Sequence, residues 1–248
     1  MELRDKRILV TGGSDGIGRH ICLKLAETGA RLAILGRDET RLQAVAEACT
    51  APAAVQAVAE ACTAAGAAEA VGLTCDLQDP SAIDHAVAQV LARFGGLDIL
   101  INNAGIWHKA GPLDTIAPEM LQATVQTNLT GLMQMTQATL PALRDNDEAI
   151  ILNVVSKSGV VAQAGQSVYT ATKYGVRGFT EVLKADEENT GVRIGGLYQS
   201  GTNTGMFAKA GEDVPNHIFT EPDDLADVVV FVLSRPPKLW IHDIRIEL

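Results

Sequence analysis

The stretch RILVTGGSDGIG, residues 7–18, joins a short apolar run to glycines at positions 12, 16 and 18. A run with apolar residues on both faces is typical of a strand in a parallel sheet that helices cover. Glycines directly after such a strand let the backbone turn sharply and approach a pyrophosphate, and the following helix offers unpaired N–H groups. The stretch therefore predicts a nucleotide-binding loop between a first strand and a first helix.

Further apolar runs alternate with helical patterns along the rest of the chain. The predicted strands cover residues 7–12, 31–36, 70–75, 97–103, 149–155, 192–198 and 241–248. The predicted helices are Ile17–Thr28, Glu39–Cys49, Pro80–Arg93, Pro118–Arg144, Gly165–Asn189 and Pro222–Leu233. Three of them begin with proline, which is favoured in the first turn because its missing N–H costs nothing there. This alternation predicts a doubly wound parallel sheet, the Rossmann α/β fold, with about seven strands and helices on both faces.

A nonapeptide, QAVAEACTA, occurs twice, starting at Gln43 and at Gln56. A solenoid needs at least about three repeat units to bury a continuous core, and this repeat stops after two. We interpret the stretch 43–64 as a tandem insertion on the surface of a single domain that spans residues 1–248.

The repeat lies between the second and third predicted strands. Pro52 disfavours one continuous helix here, so we expect a break near Thr50 and Ala51, with a second helix beginning at Pro52. Without residues 52–64 the chain has an ordinary strand–helix–strand connection. We therefore expect a variant that lacks these thirteen residues to fold and to be active.

Charge and composition limit the partners of the chain. The formal net charge of −10 argues against a general affinity for nucleic acid or anionic membrane, because phosphate binding needs clustered Lys and Arg. No stretch approaches the about 20 apolar residues of a membrane span, and the charged N-terminus lacks the apolar run of a signal peptide. We expect a soluble, cytoplasmic protein without a metal site, in which the four cysteines are free thiols: Cys22, Cys49, Cys62 and Cys75.

The residues after the second strand bear on the choice of dinucleotide. An Asp or Glu here bonds both ribose hydroxyls, whereas an Arg accommodates a 2′-phosphate. This chain has Gly36 followed by Arg37, which favours NADP over NAD. Asp15 in the glycine loop opposes that preference, since its carboxylate could lie near the same phosphate.

The segment YTATK places Tyr169 and Lys173 four residues apart, on one face of a helix. A neighbouring ammonium stabilises a phenolate and lowers its pKa from the ordinary value of about 10. Such a tyrosine can give a proton to a carbonyl oxygen or take one from an alcohol. Ser156, thirteen residues upstream in NVVSKSG, can hold the same oxygen, and Ser158 is its rival.

These motifs resemble, in order and spacing, those of the short-chain dehydrogenase/reductase family. They are TGGSDGIG, INNAGI, the isolated Asn128 in QTNLTG, NVVSKSG and YTATK, and the resemblance covers essentially the whole chain. It implies that Tyr169 is the proton donor or acceptor and that Lys173 binds the nicotinamide ribose and lowers the pKa of Tyr169. It also implies that Ser156 orients the carbonyl and that Asn128 holds a water connecting Lys173 to solvent.

The resemblance also implies a set of cofactor contacts. They are Gly12, Ser14, Asp15, Gly16, Ile17, Gly18, Arg37, Asp76, Leu77, Asn103, Ala104, Gly105, Tyr169, Lys173 and Thr204. The chain departs from the family after the sixth strand, where Gln199 and Ser200 stand at the places of the usual Pro-Gly pair. Thr204 stands where the family places its contact to the nicotinamide carboxamide.

The substrate side is expected to be largely apolar and to suit a small or medium ketone or aldehyde. Its predicted lining is Ser156, Tyr169, Trp107, His108, Met206 and Phe207. An alternative for His108 is an exposed loop residue without a role. The last two residues begin a segment to about Thr220 that could act as a lid.

The predicted function is that of an NADP-dependent carbonyl reductase of EC 1.1.1 type, reversible as an alcohol dehydrogenase. Two alternatives stay open: an NAD-dependent alcohol dehydrogenase of the same family, and a nucleotide-binding regulator that has lost turnover. The C-terminus lacks the glycine-rich ending of 3-oxoacyl-carrier-protein reductases, which makes that activity less favoured. The resemblance implies a homodimer or homotetramer with a small-molecule substrate.

Overall fold

The computed structural model of the protein describes residues 1–37 and 59–247. In these ranges seven parallel strands form one sheet in the order β3-β2-β1-β4-β5-β6-β7. The strands are β1 Arg7–Thr11, β2 Arg31–Gly36, β3 Glu69–Thr74, β4 Ile99–Asn102, β5 Ala149–Val154, β6 Val192–Gln199 and β7 Asp243–Ile246. The predicted fold class is confirmed. The chain order reverses between β1 and β4, which are hydrogen-bonded neighbours, and ligands of open α/β sheets bind at such a reversal.

The helices alternate with the strands. They are α1 Gly16–Ala26, α2 Pro80–Phe94, α3 Pro118–Val125, α4 Gly131–Arg144, α5 Ser167–Asp186, α6 Met206–Lys209 and α7 Pro222–Leu233. Residues 59–64 are also helical, and short 3₁₀ turns lie at Leu113–Thr115, Lys157–Gly159 and Asn216–Ile218. None of the helices in the described ranges is long and apolar enough to cross a bilayer.

Several predicted boundaries differ from those observed. The predicted helix 118–144 contains a π-helical turn, Gln126–Thr130, between α3 and α4. Helix α5 is shorter at both ends than predicted, and Gly165, with φ of 80°, lies outside it. The predicted helix 39–49 and the break near residues 50 and 51 lie outside the described residues.

Helix α2 shows how the sequence sets a helix end. Pro80 occupies its first turn, and the side chain of Asp79 accepts a hydrogen bond from the Ser81 N–H at 2.9 Å. Gly95 follows the last turn with φ of 74°, a left-handed conformation that glycine adopts without steric cost. Local sequence therefore fixes both ends of this helix.

Two apolar layers cover the sheet. Within β1, Ile8 and Val10 join the cluster that includes residues of α1 and α7, while Leu9 joins the cluster beneath α2 and α4. Burying an aliphatic side chain of this size contributes roughly 1.5–3 kcal/mol. The two-sided apolar pattern of β1 is thus satisfied by helices on both faces.

The second copy of the repeat contributes to this core. Ala59 and Cys62 are 1% and 0% exposed and belong to the same cluster as α1. The expectation that the repeat lies on the surface is therefore wrong for these two residues, because their small side chains fill space beside α1. The first copy lies outside the described part of the chain.

Candidate active site

The glycine loop follows β1 directly. Gly12 and Gly16 have φ of 65° and 50°, a left-handed conformation that favours glycine. Asn103, just after β4, donates from its side chain to the carbonyl oxygens of Thr11 and Gly12 at 3.0 and 3.1 Å. The segment after β4 therefore fixes the shape of the loop.

Gly18 serves packing and does not line the cleft. A Cβ there would lie 2.2 Å from the Gly12 carbonyl oxygen and 2.4 Å from Asn103 Nδ2. The absence of a side chain lets α1 approach the loop closely. Its contact with the cofactor stays a prediction.

A cleft of about 1830 Å³ runs along the carboxyl ends of the strands. Residues from the glycine loop, from the ends of β2 and β3, and from the segment after β4 line it. Of the predicted cofactor residues it includes Gly12, Ser14, Asp15, Gly16, Ile17, Arg37, Asp76, Leu77, Asn103, Ala104, Gly105, Tyr169, Lys173 and Thr204. In the described ranges no group of three His, Cys, Asp or Glu side chains is placed to hold a metal ion.

Tyr169 and Lys173 lie on one face of α5 and both line this cleft. They are 7% and 4% exposed, and Lys173 Nζ lies 5.7 Å from the centroid of the Tyr169 ring. Lys173 Nζ also donates to the carbonyl oxygen of Val154, at the end of β5, at 3.0 Å. The helical spacing of the YTATK motif therefore brings phenol and amine to one place.

Ser156 lies directly beyond β5, and its side chain lies close enough to the Tyr169 hydroxyl to lower the pKa of that group. Its Oγ also accepts a hydrogen bond from the Ser158 backbone N–H at 3.2 Å. The Ser158 hydroxyl donates to Gln166 Oε1 at 3.1 Å, away from the tyrosine. The geometry thus favours Ser156 over Ser158 as the partner of Tyr169.

Burial governs the pKa of both ionisable groups. It raises the pKa of Tyr169 to about 12, and the neighbouring Ser156 hydroxyl lowers that pKa by less. Burial also lowers the pKa of Lys173 to about 8. The net pKa of Tyr169 in this structure is therefore raised and not lowered as predicted, because the cost of removing a phenolate from water outweighs the effect of Ser156.

A known protein family matches most of the chain. The model of the family described as short chain dehydrogenase matches residues 6–58 and 50–215. The chain belongs to the short-chain dehydrogenase family. The two matched segments overlap at residues 50–58, inside the repeat.

Related proteins cover nearly the whole of this short-chain dehydrogenase. D-beta-hydroxybutyrate dehydrogenase of Cupriavidus necator is 31% identical over 95% of this chain and 93% of its own. A short-chain dehydrogenase of Burkholderia cenocepacia J2315, solved in complex with NADP, is 31% identical with a TM-score of 0.81, covering 100% of this chain and 98% of its own. A metagenomic short-chain oxidoreductase, also in complex with NADP, is 30% identical with a TM-score of 0.80, covering 99% and 98%.

In this short-chain dehydrogenase Asn128 holds the segment after β4. It lies in the π-helical turn, fully buried, and its side chain bonds both backbone groups of Ile106: Oδ1 accepts from N–H at 2.7 Å and Nδ2 donates to the carbonyl at 2.9 Å. The Asn128 side chain is not among the residues that line the cleft. A water held by this residue would therefore use another atom, such as its backbone carbonyl oxygen.

Aromatic side chains wall the cleft beside Tyr169. The Trp107 ring packs edge-on against the Tyr169 ring at 4.7 Å between centroids and against Phe207 at 5.4 Å. Met206 also lines the cleft, as predicted. Trp107 thus covers one side of the phenol ring.

His108 does not line the cleft, contrary to its predicted place at the substrate. It is 3% exposed, stacks on Trp107 at 5.8 Å and shares a hydrogen bond with the Lys109 carbonyl oxygen. The alternative of an exposed loop residue is wrong as well. The stacking with Trp107 turns its ring into the protein.

Two contacts of the segment after β6 had no signal in the sequence. Glu212 accepts hydrogen bonds from Trp107 Nε1 at 2.8 Å and from the Ala110 backbone N–H. Lys209 pairs with Asp15 in the glycine loop. Burial alone raises the pKa of Asp15, but hydrogen bonds from Lys209 and the Gly16 N–H outweigh burial and lower it. The segment thus contacts both the glycine loop and the aromatic wall.

Proposed function

We propose that this short-chain dehydrogenase is an NADP-dependent carbonyl reductase that also runs in reverse as an alcohol dehydrogenase. The observation that carries the proposal is the grouping of Ser156, Tyr169 and Lys173 in the cleft that begins at the glycine loop. A buried phenol next to a hydroxyl and an amine is suited to moving a proton at a substrate oxygen. The likeness to a hydroxybutyrate dehydrogenase supports a small substrate with a carbonyl or hydroxyl group.

The cleft fits a nicotinamide dinucleotide. The Gln199 Oε1 and Ser200 Oγ atoms are buried beside it and have no hydrogen-bond partner in the described residues. A polar group of the ligand can therefore form hydrogen bonds with them. The glycine loop would hold the pyrophosphate, Asp76 and Leu77 would flank the adenine, and Lys173 would hold the nicotinamide ribose. Such a cofactor, when bound, supplies the hydride that reduces a carbonyl carbon.

Two observations support NADP as the form used. Arg37 lines the far end of the cleft, where a guanidinium can bind a 2′-phosphate. Asp15, whose carboxylate would repel that phosphate, is paired with Lys209. The relatives solved in complex with NADP agree with this preference.

The chain's own residues account for proton transfer. With its pKa raised to about 12, Tyr169 is protonated at neutral pH and can donate to a carbonyl oxygen. The Ser156 hydroxyl can donate to the same oxygen, and the Lys173 ammonium stabilises negative charge that develops there. Trp107 and Phe207 exclude water, which strengthens these interactions.

Oxidation of NADPH, followed at its absorbance across a panel of ketones and aldehydes, tests the proposal. We expect turnover that falls about 100-fold or more in Tyr169→Phe, because general acid catalysis is lost. Tyr174→Phe is the matched control, since Tyr174 is an exposed tyrosine of the same helix whose hydroxyl donates to the Val160 carbonyl. Undiminished turnover in Tyr169→Phe would reject the mechanism, and tight NADPH binding without turnover would favour the regulator.

We also propose that the protein is a cytoplasmic homodimer or homotetramer that pairs through α3, α4 and α5. These helices leave large apolar side chains exposed: Met120, Leu121, Met133, Tyr174 and Val182. Analytical ultracentrifugation of Val182→Asp, at a residue 61% exposed, tests the interface. A variant that sediments like the wild type would contradict it.

A further inference from the structure

The end of β6 carries two polar side chains that the fold does not satisfy. Gln199, the last residue of β6, is 8% exposed, and Ser200 follows it. Gln199 Oε1 and Ser200 Oγ are both buried and have no hydrogen-bond partner among residues 1–37 and 59–247. Buried polar side chains are nearly always paired, so two adjacent unpaired ones mark a place where a ligand completes the bonding.

The position of the two residues identifies the part of the ligand that they meet. The β5–β6 register pairs Val154 with Leu197, and the Ser156 N–H donates to the Leu197 carbonyl, so Gln199 lies one strand away from the catalytic serine. Both residues line the cleft. They therefore face the end of the cleft where chemistry occurs, not the end near Arg37.

The backbone of these two residues is held by pairing with β7. Gln199 pairs with Ile246 in β7, and the Ser200 N–H donates to the Ile246 carbonyl at 2.9 Å. The Thr204 hydroxyl accepts a hydrogen bond within its own loop, from the Met206 N–H at 3.4 Å. A Pro-Gly pair at 199 and 200 would offer no side-chain hydrogen bonds, whereas this chain offers an amide and a hydroxyl.

We propose that Gln199 and Ser200 form the binding site for the nicotinamide carboxamide. Gln199 Oε1 accepts a hydrogen bond from the carboxamide N–H, and the Ser200 hydroxyl donates to the carboxamide oxygen. This inference rests on the proposed function, because it requires a nicotinamide cofactor. Both side chains are positioning residues, since they fix the ring and do not touch the atoms that react.

The 3-acetylpyridine analogue of NADP⁺ distinguishes the hydrogen bond that Gln199 accepts from the one that Ser200 donates. The analogue keeps the carbonyl oxygen and lacks the N–H donors. Dissociation constants of NADP⁺ and this analogue, measured by calorimetry, give a discrimination ratio that does not depend on turnover. We expect wild type to prefer NADP⁺ by about ten-fold, the effect of leaving one buried acceptor unpaired. In Gln199→Leu the ratio falls to about one, because the acceptor is absent from the protein.

Ser200→Ala gives a different expected pattern. It weakens binding of NADP⁺ and of the analogue by similar factors and keeps their ratio, because both ligands carry the carbonyl oxygen. Gln89→Leu, at an exposed glutamine of α2 that does not line the cleft, is the matched control and leaves both constants unchanged. Binding of 2′,5′-ADP, which has no nicotinamide, stays the same in all these variants.

The outcomes distinguish this inference from the proposed function. A Gln199→Leu variant that binds 2′,5′-ADP normally and keeps the wild-type ratio overturns the inference alone. Wild-type protein that binds none of the three ligands overturns the proposed function as well. If Gln199→Leu does not bind 2′,5′-ADP, the substitution has disturbed the fold, and Gln199→Asn is measured instead. We expect the same fall in the ratio of the two dissociation constants, because the shorter side chain withdraws the acceptor.

Discussion

Glu212 accepts a hydrogen bond from the Trp107 indole at 2.8 Å, and that indole packs edge-on against the Tyr169 ring at 4.7 Å. The carboxylate belongs to the segment after β6, and the tyrosine belongs to α5 in the proposed catalytic site. Trp107 therefore links the position of this segment to the space beside the phenol. A charged acceptor in such a bond contributes more than a neutral one, about 1.5–3 kcal/mol.

Removing that acceptor tests its role at the substrate. In Glu212→Ala we expect KM for the carbonyl substrate to rise about ten-fold with a smaller change in kcat, because the wall beside Tyr169 loses its anchor. Steady-state kinetics at saturating NADPH measures both constants. Asp213→Ala, at the neighbouring carboxylate, is the control and should leave KM unchanged. An equal increase in KM in both variants would mean that the negative charge of the segment is important and the hydrogen bond to Trp107 is not.

The backbone of Ser156 stores strain beside the phenol. Its φ and ψ of 111° and 154° lie in a region that is nearly exclusive to glycine, at a cost of about 1–3 kcal/mol for other residues. We expect Ser156→Gly to have a free energy of unfolding about 1 kcal/mol above that of Ser156→Ala, although both lose turnover.

Urea unfolding of the two variants measures this difference. Ser158 provides the control, because it lies in the 3₁₀ turn Lys157–Gly159 and has no positive φ. There the order should reverse, with Ser158→Ala more stable than Ser158→Gly by roughly 0.5–1 kcal/mol. If Ser156→Ala were more stable than Ser156→Gly, the backbone of residue 156 would not be strained.

Lys173 makes the stability of the free protein depend on pH. Its pKa is about 8 in the folded protein against 10.5 ordinarily, so the folded state binds fewer protons than the unfolded state between these values. The free energy of unfolding should therefore rise with pH across this window, by up to about 3 kcal/mol. Lys173→Met lacks this contribution. The stability advantage of Lys173→Met over wild type should then be largest at pH 7 and shrink toward pH 10.5.

Urea titrations of both proteins at several pH values between 7 and 10.5 measure that difference. Subtracting the free energies of unfolding of the two proteins cancels the contributions of the other titratable groups, because those groups are present in both proteins. Tyr169 acts in the opposite direction and at higher pH, since its raised pKa causes stability to fall between about pH 10 and 12. A difference that does not change with pH would show that Lys173 is solvated in the folded state.

Periodic patterns in the sequence predicted the fold and the centre of the candidate site. Two-sided apolar runs mark the strands inside the sheet because buried parallel strands need apolar residues on both faces, whereas the edge strand β7, DIRI, alternates charged and apolar residues. Tyr169 and Lys173 were found because helical geometry places residues four apart on one face. Such signals are local, so they can be read without knowing the rest of the fold.

Contacts between distant segments left no such signal. Glu212 and Trp107 are separated by 105 positions, and neither residue type nor spacing relates them. The burial of His108 follows from its stacking on Trp107, and the raised pKa of Tyr169 follows from burial among side chains of other elements. These features depend on packing, which exists only once the chain is folded.

The tandem repeat provides a last test. Removing residues 43–55 or residues 52–64 gives the same chain, and in it the copy that supplies Ala59 and Cys62 keeps its spacing to β3. We expect this variant to retain the cooperative unfolding transition, NADPH affinity and turnover of the full chain. Circular dichroism and the kinetic assay measure these properties.

Removing residues 56–64 alone is the matched control. It also leaves one nonapeptide, but Cys49 then lies eleven residues before Glu69, whereas Cys62 lies seven before it. The spacing changes by about one helical turn, so the buried places of Ala59 and Cys62 cannot be filled in register, and we expect lower stability. A thirteen-residue deletion that folds but does not turn over would instead show that the repeat serves the active site.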